Sequence, residues 1–111
     1  MIVMSARAAF GSVPRFPFIY NVTMTVANTE YSQELPENCK AYLVHTRDET
    51  VFRLAFETGY VATPTEPYLT VLANSRYFEP LIGNITYGGA RITLYFASTN
   101  AGKVIEIVAW V

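Results

Sequence analysis

From Asn21 onward, apolar and polar residues alternate in short strings set apart by turn-forming residues. Val22, Met24 and Val26 alternate with threonines in VTMTV. Tyr42 and Val44 alternate with Leu43 and His45 in KAYLVHTR, and Phe52, Leu54 and Phe56 alternate with Arg53 and Glu57 in VFRLAFE. Side chains on a strand point to opposite faces in turn, so each string predicts a short strand with one inward face. ANTEY, the LPEN corner at 35–38 and DET at 48–50 carry the residues that end pairing. SQEL leads into that corner. Residues 58–67, TGYVATPTEP, hold one glycine and two prolines and predict a loop, with at most a short paired piece at Tyr60 to Ala62. PYLTVLAN at 67–74 reads as a strand, SRYFEPLIGN at 75–84 as a meandering connection with exposed aromatics, and the glycines at 88 and 89 as a bend.

The clearest local object is the closing ribbon. ARITLYFA sets Ile92, Leu94 and Phe96 against Arg91, Thr93 and Tyr95, STNAG at 98–102 turns the chain, and KVIEIVAWV returns. Ile105, Ile107, Ala109 and Val111 share one side of the returning strand; Val104, Glu106, Val108 and Trp110 share the other. Both sides are largely apolar. A strand with only one core to face alternates more cleanly, so the second face is expected to be covered by the amino-terminal arm or by another subunit. A membrane hairpin is a poor reading, because Lys103 and Glu106 sit within it and no closed barrel surrounds it.

Seven to eight short strands and no amphipathic helix predict an all-β chain. The expected architecture is an antiparallel β-sandwich or jelly roll, with a small closed barrel as the alternative. Residues 1–20 differ from the rest. Gly11, Pro14 and Pro17 break regular structure, while Phe10, Phe16, Phe18 and Tyr20 are too apolar for a solvated tail. The division expected is therefore an extended arm, 1–20, and a sandwich domain, 21–111. The arm carries two arginines and no acid, and the remainder six basic and nine acidic residues.

Composition sharpens this reading. Charged residues make up 15% of the 111, against about 25% in an average chain, and hydrophobic residues make up 51%. So little charge cannot clothe a whole surface, which favours contact with other copies or another protein. Eight tyrosines and seven phenylalanines agree with that, since aromatic rings are enriched in interface cores as well as in strands. Net charge is -1 with no basic run, which argues against nucleic acid as a partner. No apolar stretch reaches the length of a spanning helix and no targeting segment is recognisable, so neither a membrane partner nor an export signal is expected. The sequons NVT at 21–23 and NIT at 84–86 would matter only in a secretory pathway.

Candidate chemistry is thin. His45 is the only histidine and Cys39 the only cysteine; both lie in or beside one strand, with nothing in their spacing to favour a thiolate nucleophile. Asp48, Glu49 and Glu57 lack a calcium-loop pattern, Glu57, Glu66 and Glu79 are scattered, and NAGK at 100–103 lacks the glycines and helix of a phosphate loop. No catalytic, metal or cofactor residue is assigned. Tyr60, Tyr68, Tyr77, Phe78, Tyr87 and Tyr95 could stack on sugar, so the alternative function is a carbohydrate-binding module or receptor-binding accessory. The candidate protein-contact residues are Phe10, Phe16, Phe18, Tyr20, Tyr95, Val108 and Trp110.

Tyr31, Ser32, Leu35 and Pro36, then Leu94 to Ser98, then Val104, Glu106, Ile107 and Trp110 form a pattern over residues 22–111. It resembles small all-β virion-associated proteins of tailed bacteriophages and prophages, those of head decoration, fibre or tail accessory type. The resemblance is carried by packing and turn residues, and this chain departs from it in its long aromatic arm. It implies a non-enzymatic structural component of the particle, assembled in the host cytoplasm. The arm and an apolar sheet face would attach it to capsid, to another virion protein or to neighbouring subunits. A homo-oligomer, with a trimer as one candidate, is the state it implies.

Overall fold

The computed structural model describes residues 17–81 and 91–111, and among them there is no helix. Eight strands are present: β1 Phe18–Met24, β2 Tyr31–Glu34, β3 Ala41–Thr46, β4 Phe52–Ala55, β5 Leu69–Val71, β6 Tyr77–Pro80, β7 Thr93–Ala97 and β8 Lys103–Trp110. They form two four-stranded antiparallel sheets, ordered β1-β8-β3-β6 and β2-β7-β4-β5. Four of the pairings are nested: β1 with β8, β2 with β7, β3 with β6 and β4 with β5. The chain is thus one long folded-back ribbon. Rolling it up brings β8 beside β3 and β7 beside β4, which is the jelly-roll arrangement and not a closed barrel.

Alternation places the core between the sheets. Tyr42 and Val44 of β3, Ile105, Ile107 and Ala109 of β8 and Met24 of β1 meet Phe52, Leu54, Leu94, Phe96 and Val71 from the opposite sheet, and all are buried. Each large apolar side chain so buried contributes about 1.5–3 kcal/mol. Leu35, from the LPEN corner, closes one end of the same cluster. The tight connections use residues that tolerate positive φ: Asn28 (φ 53), Asn38 (φ 61) and Asn74 (φ 60), with Gly102 (φ 81) ending the turn before β8.

Several elements differ from the reading of the sequence. β1 opens at Phe18 and not after Asn21, so Phe18, Ile19 and Tyr20 belong to the sheet; they pair with Ala109, Val108 and Ile107. The inward alternation Tyr20, Val22, Met24 simply runs further back than the proline-containing arm implied. Tyr31, expected in a turn, is the first residue of β2. The expected meander contains β6, paired to β3 from Tyr77 to Pro80. Tyr60 to Ala62 lie in turns and not in a paired piece. Strand β4 is buried on both faces, Arg53 and Ala55 included, while Phe56 lies beyond its end and is exposed. The glycine pair at 88 and 89 lies outside the described residues.

A candidate docking face on one sheet

The two sheets treat their outer faces differently. On the β2-β7-β4-β5 sheet, the outward residues Ala55 and Ala97 join Val61 in a second small buried cluster, flanked by Tyr60, Tyr68 and Tyr95. The loop after β4 therefore folds back over its own sheet. Arg53 pins it. Arg53 is 9% exposed, and its guanidinium donates from Nε to the Val61 carbonyl at 2.6 Å, and from Nη2 to the Ala62 carbonyl at 3.2 Å and Asn28 Oδ1 at 3.1 Å.

The β1-β8-β3-β6 sheet has no such cover among the described residues. Directly paired residues share a face, so the registers Ile19 with Val108, Val108 with Leu43 and Leu43 with Phe78 align four apolar side chains in one row across all four strands. Ile19 is 66% exposed and Phe78 51%, at the two edges of the sheet; Leu43 and Val108 are half-buried between them. The next row is Trp110, Ala41 and Pro80. Small Ala41 leaves room for the Phe78 and Trp110 rings to meet edge-on across β3, with centroids 6.2 Å apart and planes at 76°. On the other side of the apolar row the face turns polar, with Asn21, Glu106 and His45 aligned. Glu106 holds Arg47 Nε at 2.7 Å and His45 Nε2 at 3.4 Å, while His45 Nδ1 lies 2.8 Å from the Thr46 carbonyl.

The predicted contact residues divide between these surroundings. Val108 and Trp110 lie on the uncovered face. Tyr20 faces inward, opposite Ile107, and packs on the main core; Tyr95 packs on the small cluster beneath the loop after β4. Phe18 lies opposite Ala109 and is 42% exposed. Phe10 and Phe16 lie outside the described residues. The rest of the face, Ile19, Leu43 and Phe78, follows from the same alternation once β1 and β6 are recognised as strands flanking β8 and β3.

The remaining chemistry is dispersed. Cys39 is buried just before β3, with Sγ donating to the Ala41 carbonyl at 3.3 Å, and His45 is near the far end of the same strand on the outer face. Burial pushes the Cys39 thiol up from its ordinary value, with hydrogen bonding opposing this in part. Glu57 and Glu79 line separate cavities. No group of three or more His, Cys, Asp or Glu side chains is placed to hold a metal ion among the described residues. No helix there is long and apolar enough to cross a membrane.

Among the candidate sugar-stacking rings, Tyr60 and Tyr68 join Phe56, Pro67 and Leu69 around a groove of about 250 Å³ with Glu57 at its rim. Tyr77 packs at tilted angles on Tyr42 and Phe56, with centroids 6.1 and 6.4 Å away. Tyr87 lies outside the described residues. Each of these ring contacts, like that of Phe78 with Trp110, joins a candidate ring to one outside the set. The chain matches no family model, no curated protein and no solved structure, so the likeness to phage virion proteins rests on its own residues alone.

Proposed function

We propose that this chain is a non-enzymatic structural protein that works by attachment through the outer face of the β1-β8-β3-β6 sheet, and that its setting is a bacteriophage particle. The observation that carries the attachment is the contrast between the two sheets. One outer face is covered by the chain's own loop, pinned by a buried arginine; on the other, no described residue covers the row of apolar side chains. Contiguous apolar surface of this kind marks protein contact sites. The virion setting is supported by the packing and turn pattern over residues 22–111. A jelly roll agrees with it by analogy only, since that fold builds both capsid and lectin domains.

The non-enzymatic reading is supported by the separation of Cys39 from His45 and by the engagement of His45 with Glu106. The glycan alternative is favoured by one feature, the groove walled by Phe56, Tyr60 and Tyr68, and calls for saturable sugar binding lost in Tyr68→Ala.

The test is to purify particles by density gradient from cells that encode the chain and to probe the fractions with an antibody to it. Co-migration with the particles, abolished by Val108→Glu, is the result expected. A chain found only in the soluble fractions would refute the virion setting.

A further inference from the structure

The occupant of the uncovered face can be argued from the registers. The apolar row lies across the strands, with Trp110, its ring edge-on to Phe78, on one side of it and the polar row of Asn21, Glu106 and His45 on the other. Two such faces can stack about a two-fold axis lying between them in either of two ways. An axis along the apolar row would set the aromatic end of one copy on the polar end of the other, leaving Glu106 desolvated without a new partner. An axis parallel to the strands, passing between β8 and β3, keeps apolar on apolar and polar on polar. It exchanges β1 with β6 and β8 with β3. Ile19 then faces Phe78 of the second copy, Val108 faces its Leu43, and Glu106 faces its His45. The apolar row thus meets apolar side chains throughout, and Glu106 meets a second His45.

We propose that the partner seated on this face is a second copy of the chain, related by a two-fold axis parallel to the strands between β8 and β3. The inference deepens the attachment reading above and rests on it. Four strands span roughly 19 Å and the face runs about 20 Å along them, so the stacked face covers only about half of the roughly 800 Å² per partner of a standard interface. A contact of that size gives a concentration-dependent dimer and not a permanent one. Sheets stacked face to face keep their strand directions within about 30°, which this axis allows.

The test uses the pure full-length chain in sedimentation equilibrium over a range of concentrations. The wild type is expected to pass from monomer to dimer as concentration rises. Ile19→Lys and Phe78→Glu each place a charge on the face and are expected to weaken the dimer at least ~10-fold. Ile19 and Phe78 are both more than half exposed, so the fold should tolerate the changes; circular dichroism and thermal melting verify it.

The decisive arm mixes the two variants. A mixed pair about the proposed axis contains one Lys to Glu contact and one native Ile to Phe contact, so the mixture should dimerise where neither variant does alone. A mixture that stays monomeric, a wild type that stays monomeric throughout, or a wild-type trimer would overturn the proposal. A wild type that stays monomeric yet co-migrates with particles in a Val108-dependent way would leave the attachment reading standing without the dimer, so the two fail separately.

Discussion

Arg53 reaches from the middle of β4 to the Val61 carbonyl, 2.6 Å away, and so fastens to its sheet the loop that covers it. The guanidinium also holds the Ala62 carbonyl and Asn28 Oδ1, which ties the turn before β2 to the same point. Lysine has one compact head in place of a planar fork and cannot reproduce three directed contacts. Arg53→Lys and Arg53→Met should each destabilise the fold by about 2–4 kcal/mol, because buried carbonyls lose their donors. Urea unfolding measures the loss. Limited proteolysis should then cut within residues 58–67, where the wild type resists.

Glu49 sits at φ 63, in a region where a side chain with a Cβ is disfavoured. The tight turn between β3 and β4 demands it, with the Glu49 N–H donating to the Thr46 carbonyl at 3.0 Å and the Thr46 hydroxyl donating to the Thr50 carbonyl at 2.7 Å. Glu49→Gly or Glu49→Asn should stabilise the chain by about 0.5–1 kcal/mol, read as a higher urea midpoint at unchanged slope.

Tyr42 and Tyr77 give the fold an alkaline limit. Burial, with Tyr77 and Glu79 nearby, raises the Tyr42 phenol well above its usual range; Tyr77 is raised first by its hydrogen bond to the Glu79 carboxylate. Both are therefore protonated in the fold at a pH where the unfolded chain has begun to lose these protons. Their contribution is complete below about pH 10, the ordinary tyrosine value, and declines as pH rises beyond it towards the raised folded values. Urea midpoints should fall as pH rises beyond about 10, and Tyr42→Phe should flatten that fall.

Cys39 should be inert in the native chain. It is 3% exposed, its thiol is raised by burial, and nearby hydrogen bonding only partly opposes this. A thiol reagent such as a dithiobisbenzoate should label it slowly at neutral pH and fully once the chain is unfolded in urea. Rapid labelling of the folded protein would show that the end of the sandwich beside Leu35 opens readily.

The sole tryptophan reports on the uncovered face. Trp110 is 37% exposed and lies edge-on to Phe78. Its emission should shift to shorter wavelength as the chain concentration rises through the dimerisation range. Ile19→Lys should remove that shift without altering the spectrum of the dilute protein.

Much of the architecture was legible because alternation survives in the sequence wherever one face is dry. KAYLVHTR declares β3 in that way, whereas KVIEIVAWV declares β8 by a long apolar string after a turn. β6 was hidden because YFEP is short and ends in proline, which fits an edge strand but looks like a loop. Arg53 read as an outward polar residue because alternation cannot foresee a loop returning to cover it. The docking face was half legible. Trp110 and Val108 betrayed it through a strand apolar on both sides, whereas Ile19, Leu43 and Phe78 join them only through pairings between residues distant in the chain.

The nested pairing also fixes an order of events during synthesis. β4 and β5 can meet soon after they are made, but among the described strands β1 is hydrogen-bonded only to β8, the last of the eight to leave the ribosome. A nascent chain must therefore carry Ile19, Tyr20 and Val22 unpaired until β8 has been translated. Ribbons rich in such distant contacts fold slowly and expose sticky surface meanwhile. The strand that presents Ile19 in the finished molecule is thus also the one most in need of a chaperone while the molecule is being made.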